Sequence, residues 1–168
     1  PEQLCVLLGA KATGRPVKWT GERSEGFMGD ADGRDMRTKA EAALDADGKL
    51  TALRITGSGN VGGYLSQFAI FIPTLAGGRI FGGVYRIPHV FANVKCWFTN
   101  TGPVDAYRGA GRPEAAYLME RLMDRCAAAV GVDPVEIRRR NLLTPGEMPL
   151  KNWAGIEFDS GVFHANLE

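Results

Sequence analysis

Two arginines and two glycines lie close together in the order Arg108, Gly109, Ala110, Gly111 and Arg112. A glycine allows the backbone to take a positive φ angle and to approach a bound group closely. The stretch leads into a predicted helix, and backbone N–H groups at such a loop-to-helix junction attract anions. These residue types therefore indicate binding of an anionic group. The alternative interpretation is a glycine-rich connection with two solvated arginines, because short glycine motifs carry little information alone.

The sequence around this stretch resembles the active-site loop of the large, molybdopterin-binding subunit of molybdenum hydroxylases. The matching string is AYRGAGRPEA at residues 106–115. This family includes xanthine dehydrogenase, aldehyde oxidase and aerobic carbon monoxide dehydrogenase, and the AYRGAGR form resembles the second type of carbon monoxide dehydrogenase-like large subunit. Further matches follow in family order along nearly the whole chain, at residues 13–19, 22–25, 85–88, 99–100 and 135–141.

The resemblance implies a molybdenum–pterin cofactor, in its cytosine dinucleotide form, which is held through the pterin and not by protein side chains. It implies that the main-chain N–H of Arg108 approaches the oxygen ligands of the molybdenum, and that Gly109 permits this approach. Arg112 would support the loop together with Tyr107. The substrate pocket would be lined by three loop residues, Tyr107, Ala110 and Gly111.

Four positions bear on the substrate that the resemblance implies. Ala110 falls where purine oxidases place an aromatic residue, so the site should have a different shape. Gly109 falls where the first-type carbon monoxide dehydrogenases carry a copper-binding cysteine, which argues against copper. Ala76 falls near the position of the arginine that holds purines, and Arg79 is three residues away. A purine is therefore less expected than an aldehyde, another N-heterocycle or carbon monoxide, unless a shift of the loop brings Arg79 to that position.

Two elements of the family are expected outside this sequence. A Gly-Gly-Phe-Gly loop should precede Pro1, and the glutamate that acts as general base should follow Glu168. Glu114 is not a substitute for that base, since a carboxylate in the first turn of a helix is favoured for structural reasons. We therefore expect residues 1–168 to be an internal fragment of a larger catalytic domain, without an internal boundary, without a catalytic residue and inactive alone.

The resemblance also implies partners. Electrons would leave through iron–sulfur and FAD groups on two other subunits, in a cytoplasmic dimer of heterotrimers that oxidises a small molecule. A non-catalytic alternative is a glycine-rich α+β binding or assembly module, whose Arg-Gly-Ala-Gly-Arg loop holds an anion. Molybdenum and pterin content would distinguish the two.

Composition excludes several other classes of function. A net charge of +1 gives no electrostatic basis for nucleic-acid binding. The apolar run 65–75 contains Gln67 and Pro73 and is too short to span a membrane. The cysteines are scattered and predict buried thiols in a reducing compartment, without a zinc or iron–sulfur cluster formed by this segment; they are Cys5, Cys96 and Cys126.

The elements around the loop follow from periodicity. Residues 90–98 alternate between two faces and predict a strand that leads into the loop. Apolar residues at helical spacing predict a helix over 114–130, and Asp133 with Pro134 predicts the start of a second helix that runs to about Leu142. Residues 37–44 and 49–57 predict a hairpin around the Asp47-Gly48 turn.

The remaining segments complete an α+β fold with mixed or antiparallel strands packed against helices. Residues 57–63 predict an extended strand that bends toward a loop; their G-x-G-x-x-G letters lack the strand–helix–strand context of a dinucleotide site. Residues 1–12 predict a buried helix, because they leave almost no polar face. Residues 17–20 predict a short strand with Trp19 in the core.

Overall fold

The computed structural model of the chain describes residues 2–168 and confirms the α+β class. Contacts divide the chain into two compact units, residues 1–30 and residues 31–168. The sequence had indicated no boundary at this point. The second unit contains the sheet, the longest helix and the glycine-rich loop, so it is the unit that positions the candidate site.

The first unit contains helices α1 (Glu2–Thr13) and α2 (Arg23–Gly29). The prediction that α1 is buried was wrong, since its leucines are about two-thirds exposed (Leu4 66%, Leu7 65%, Leu8 66%). The predicted strand at 17–20 does not form, and Trp19 is half exposed. An apolar sequence is buried only where other elements cover it, and within residues 2–30 the one further element is the short helix α2.

A three-stranded sheet forms the base of the second unit. It consists of β1 (Met36–Leu44), β2 (Leu50–Gly62) and β3 (His89–Phe98), in that spatial order. Strands β1 and β2 pair antiparallel, which confirms the predicted hairpin, whereas β2 and β3 pair parallel. A parallel pair requires a crossover connection. Residues 63–88 form that crossover, which includes a π-helical turn (Ile72–Ala76) and a 3₁₀ turn (Gly78–Ile80).

Helix α3 (Arg112–Val130) packs its apolar stripe into the core beside buried residues of β2. Four of the apolar residues at helical spacing are buried, namely Ala115, Met119, Met123 and Cys126. The other three are not, since Leu118 and Leu122 are only partly buried and Val130 is exposed. The chain continues through short elements whose bounds are α4 (Pro134–Asn141), a 3₁₀ turn (Pro145–Glu147), β4 (Leu150–Lys151), β5 (Glu157–Phe158) and α5 (Phe163–Leu167).

Polar groups fix α4 against α3 and at its own start. The Asp133 carboxylate accepts hydrogen bonds from the N–H groups of Val135 (2.8 Å) and Glu136 (3.1 Å), which confirms the predicted cap. Arg138 donates to Glu120 on α3 at 2.7 Å and to Asp124 at 2.9 Å. The helix that follows the glycine-rich loop is therefore held from its solvent side as well as by the core.

The cysteine prediction was wrong for one residue. Cys126 is buried and Cys96 is half-buried, whereas Cys5 is exposed. Burial raises the pKa of the Cys96 and Cys126 thiols. Among residues 2–168, no helix combines the length and apolar character needed to cross a membrane.

Asn141 is a buried polar side chain that connects α4 to the β1–β2 turn. Its Nδ2 donates to the carbonyl oxygens of Gly48 (2.9 Å) and Ile137 (2.8 Å), and its Oδ1 accepts the N–H of Leu50 at 2.7 Å. All three bonds are made away from solvent, since Asn141 is only 2% exposed. The side chain therefore satisfies backbone groups that no water reaches.

We expect Asn141→Ala to lower the free energy of unfolding by about 3 kcal/mol, because it leaves a buried N–H and a buried carbonyl unpaired. Asn93→Ala on the exposed side of β3 is the matched control and should cost less than about 1 kcal/mol. Urea unfolding of both variants measures the difference. Equal unfolding midpoints would contradict a structural role for the Asn141 side chain.

Candidate functional site

The glycine-rich loop connects the end of β3 to the start of α3, as predicted. Strand β3 ends at Phe98, and Gly111 is the N-cap residue of α3 with φ +89° and ψ −20°. The loop therefore occupies residues 99–111 and delivers its last residues to the N-terminus of a 19-residue helix. Such a terminus presents backbone N–H groups and a partial positive charge.

Asn60 on β2 holds the first residues of the loop. Its Nδ2 donates to Asp35 Oδ2 (2.8 Å) and to Thr101 Oγ1 (2.9 Å). Its Oδ1 accepts the Gly62 N–H and the Thr99 hydroxyl, both at 2.7 Å. The role of Asn60 was not predicted from the sequence, because it is a single polar residue within a glycine-rich strand.

The loop then folds back over the end of β2. The Thr99 N–H donates to the Gly62 carbonyl at 3.0 Å, and the Gly63 N–H donates to the Thr101 carbonyl at 3.0 Å. Gly62 has φ +80°, and a Cβ atom there would lie 2.3 Å from the Gly102 oxygen. Only glycine permits this approach of two backbones, which confirms that the 57–63 strand bends toward a loop.

At its tip the loop makes two consecutive tight turns. Gly109, Ala110 and Gly111 all have positive φ angles, of 92°, 44° and 89°. The Ala110 N–H donates to the Tyr107 carbonyl at 2.7 Å, and the Arg112 N–H donates to the Gly109 carbonyl at 3.1 Å. An alanine in the left-handed region costs about 1 kcal/mol, so the surrounding structure must impose this conformation.

The crossover segment imposes part of it through backbone contact. A Cβ atom on Gly111 would lie 2.3 Å from the Ile72 oxygen and 2.8 Å from the Gly77 nitrogen. Conversely, a Cβ atom on Gly77 would lie 2.7 Å from the Gly111 oxygen. The segment that contains Ala76 therefore lies directly against the loop, while the Arg79 side chain is exposed in the 3₁₀ turn that follows.

The N–H groups of Arg108 and Gly109 have no acceptor within residues 2–168, and both residues are exposed. The Arg108 N–H shares a peptide group with the Tyr107 carbonyl, which points inward to Ala110. In a trans peptide the N–H points opposite to the carbonyl, so the Arg108 N–H points out of the turn. Two adjacent N–H donors on a rigid turn suit an anionic or oxo ligand.

Arg34, which was not predicted from the sequence, lies just before β1 in the chain and contacts the loop. Its Nη2 donates to the Arg108 carbonyl at 2.5 Å, and its Nη1 pairs with Glu114 Oε2 at 3.1 Å. The guanidinium carbon lies 4.9 Å from the centre of the Tyr107 ring. Glu114 is thus occupied by an ion pair, and nothing in the sequence signals a contact across 74 residues.

The other arginines near the tip have smaller roles in the loop itself. Arg112 Nη1 lies 3.4 Å from the Gly109 carbonyl, and the Arg108 side chain is exposed. Tyr107 is 66% exposed although its ring faces Arg34. Among the described residues, no three histidine, cysteine, aspartate or glutamate side chains lie close enough together to hold a metal ion. What the tip offers a ligand is main-chain N–H groups.

Comparison with known proteins identifies the family. Residues 1–142 match the molybdopterin cofactor-binding domain family. The chain belongs to this family. The resemblance that residues 106–115 and the accompanying motifs indicated is therefore confirmed. The molybdopterin-binding segment contains the whole strand–loop–helix arrangement described above.

Relatives of this molybdopterin-binding chain include two curated subunits. It is 36% identical over 166 residues to the 6-hydroxypseudooxynicotine dehydrogenase complex subunit gamma of Paenarthrobacter nicotinovorans, covering 96% of the chain and 21% of that relative. It is 34% identical over 173 residues to the carbon monoxide dehydrogenase large chain of Hydrogenophaga pseudoflava, covering 100% of the chain and 21% of the relative. The chain thus spans about a fifth of the length of these relatives.

Two solved structures have the same fold. The crystal structure of quinoline 2-oxidoreductase from Pseudomonas putida 86 superposes with a TM-score of 0.93 at 33% identity, over 99% of this chain and 21% of that one. The Cu,Mo-CO dehydrogenase in its carbon monoxide reduced state superposes with a TM-score of 0.83 at 28% identity, over 98% of this chain and 21% of that one. The fold of the molybdopterin-binding segment is therefore shared along almost its whole length.

We expect Gly111→Ala to lower the free energy of unfolding by about 3 kcal/mol, because it adds a backbone clash to the cost of a positive φ. Gly131→Ala is the matched control: Gly131 caps the other end of α3 at φ +69°, with nothing within 4 Å of its Cβ position. The control should cost about 1 kcal/mol, through backbone conformation alone. Urea unfolding measures both; equal losses would show that the contact with Ile72 and Gly77 does not constrain the loop.

Proposed function

We propose that this chain is part of the catalytic subunit of a molybdenum-dependent hydroxylase, which oxidises a carbon centre with oxygen derived from water. The observation that carries the proposal is the loop tip, where two free N–H groups project from a turn that is fixed by backbone contacts. Membership of the molybdopterin cofactor-binding family supports molybdopterin as the group that these donors bind.

The residues of the tip fit such a cofactor. The cofactor, when bound, supplies the oxidation–reduction chemistry, and the protein supplies binding and orientation. The main-chain N–H groups of Arg108 and Gly109 would hold the molybdenum end of this cofactor by hydrogen bonds. Gly109 has φ +92°, and a Cβ atom there would lie 2.6 Å from Pro113 Cδ. In this chain a side chain at position 109 would therefore meet the Pro113 ring and displace the turn that carries the two N–H groups.

We assign the substrate pocket to Tyr107, Ala110 and Gly111. Ala110 is half-buried between the two glycines, and its side chain is a single methyl group. The exposed Tyr107 ring offers an apolar wall for a planar substrate. The proton-transfer group is a glutamate that we place beyond Glu168, so the residues of this chain bind and orient without acting as the base.

Among aldehydes, N-heterocycles and carbon monoxide, we favour an N-heterocycle. The solved quinoline 2-oxidoreductase superposes with a TM-score of 0.93, and a nicotine 6-hydroxylase large subunit is 30% identical over 97% of the chain. Gly109 has no thiol, so this position offers no soft ligand for copper. We therefore propose molybdenum without copper, in the cytosine dinucleotide form of the cofactor.

We also propose partner subunits that carry iron–sulfur clusters and FAD, in a cytoplasmic dimer of heterotrimers. Two relatives are named as the gamma subunit of a complex and as a large subunit, which supports assembly with other chains. The substrate would be a small molecule held beside the loop tip. Electron transfer to the partners would complete each turnover.

The test is to express the full-length subunit with its partners under cofactor-replete conditions and to measure bound molybdenum, copper and released pterin. We expect molybdenum and pterin in equal amounts, without copper. Copper at parity with molybdenum would contradict the argument from Gly109. A folded preparation without molybdenum or pterin would contradict the hydroxylase and favour the non-catalytic binding module.

A substitution at the tip tests the assignment of the donors. Gly109→Ala should lower the molybdenum content of the purified subunit by at least about tenfold, because the added methyl group clashes with Pro113 and displaces the turn. Gly146→Ala is the control, since nothing lies within 4 Å of its Cβ position. Molybdenum content is measured by mass spectrometry of the metal; a fully loaded Gly109→Ala subunit would contradict the assignment.

A further inference from the structure

Three peptide groups determine where the loop tip points its N–H donors, and only two of them are fixed locally. The Tyr107–Arg108 peptide is fixed because its carbonyl accepts the Ala110 N–H at 2.7 Å. The Gly109–Ala110 peptide is fixed because its carbonyl accepts the Arg112 N–H at 3.1 Å. The Arg108–Gly109 peptide between them has no such backbone partner among the described residues.

Arg34 supplies the missing partner from a distant part of the sequence. Its Nη2 bonds the Arg108 carbonyl, which belongs to this middle peptide group. The Gly109 N–H belongs to the same planar group and points in the opposite direction. A guanidinium that holds the Arg108 carbonyl on one side therefore directs the Gly109 N–H to the other side, where the cofactor is proposed to bind.

The guanidinium is itself held in place by two further contacts. Glu114 in the first turn of α3 accepts its Nη1 at 3.1 Å, with side-chain exposures of 32% for Arg34 and 19% for Glu114. The guanidinium carbon lies 4.9 Å from the centre of the Tyr107 ring, above its face. A planar fork can satisfy two acceptors and an aromatic face at once, which an ammonium group cannot.

Backbone hydrogen bonds place the segment that contains Arg34 beside the loop. The Asp32 N–H donates to the Pro103 carbonyl and the Asp105 N–H donates to the Asp32 carbonyl, both at 2.8 Å, which lays residues 32–34 beside the loop. A Cβ atom on Gly33 would lie 2.9 Å from Tyr107 Cβ. Arg34 itself has φ +63°, a left-handed conformation that a non-glycine residue adopts only where its surroundings impose it.

We propose that Arg34 is a positioning residue: through the Arg108 carbonyl it fixes the direction of the Gly109 N–H toward the molybdenum cofactor. This role rests on the proposed function, but the tether between Arg34 and the loop exists without any cofactor. The two can therefore be tested separately.

Arg34→Gly in the full-length subunit removes the guanidinium and leaves the backbone unstrained, because glycine accepts φ +63°. Arg34→Lys retains the positive charge but lacks the planar guanidinium that can donate to two acceptors at once. Arg37→Gln is the control, since Arg37 is an exposed arginine three residues further along the chain. All variants are prepared with the partner subunits, both with cofactor and from cells grown without molybdate.

The first measurement is amide hydrogen exchange in the cofactor-free protein. Exchange at the Ala110 and Arg112 amides should rise about tenfold in Arg34→Gly and less in Arg34→Lys, because the tip loses its long-range tether. Exchange in β2 and in the later turns of α3, from Met119 onward, should stay unchanged. Unchanged exchange at Ala110 and Arg112 would contradict the role of Arg34 in holding the loop tip. An equal rise throughout α3 and β2 would also contradict it, because it would show a general loss of structure.

The second measurement uses the loaded enzyme and an N-heterocycle that the wild-type enzyme oxidises. We expect kcat per bound molybdenum to fall about tenfold in Arg34→Gly at unchanged KM, with partial recovery in Arg34→Lys, because misplaced donors weaken orientation without removing substrate contacts. Equal kcat in Arg34→Gly and Arg37→Gln would overturn the positioning role. A wild-type enzyme without molybdenum would contradict the proposed function, while the exchange result would still decide the tether.

Discussion

The contact between the backbones of Gly111 and Gly77 is the constraint on which the candidate site depends. A Cβ atom on Gly111 would lie 2.8 Å from the Gly77 nitrogen and 2.3 Å from the Ile72 oxygen, and a Cβ atom on Gly77 would lie 2.7 Å from the Gly111 oxygen. No side chain separates the two segments. The backbone of the crossover therefore sets the position of the loop tip, and side-chain rotamers have little influence on it. Such a contact has little freedom to relax, which suits a site that must present N–H groups in fixed directions.

The loop is held at three places that come from different parts of the chain. Asn60 on β2 fixes its first residues, the crossover fixes its last residue, and Arg34 holds the peptide between them. Each contact uses hydrogen bonds or backbone packing that is complete without a ligand. The N–H groups of the tip are therefore oriented without a ligand, so a ligand that bound them would not need to supply the free energy of ordering. Helix α3, fixed by the core and by Arg138, gives the loop a rigid support.

The sequence predicted the local arrangement of this site well. The alternation in 90–98 gave β3, the helical spacing after Glu114 gave α3, and the Asp47-Gly48 turn gave the hairpin. These features depend on interactions within a few residues, where spacing and turn chemistry are direct physical signals. The predictions that α1 and Trp19 are buried were wrong, because burial depends on which elements cover an apolar surface and not on the composition of that surface.

By itself, the sequence determined the α+β class, the strand–loop–helix arrangement, the family and the glycines that allow close approach. Only the tertiary structure decided that β3 runs parallel to β2, that Gly111 rests on Gly77, and that Arg34 reaches Arg108. The physical reason is separation along the chain. Arg34 and Arg108 are 74 residues apart, and no periodicity links two such residues until the sheet and the crossover have brought their backbones together.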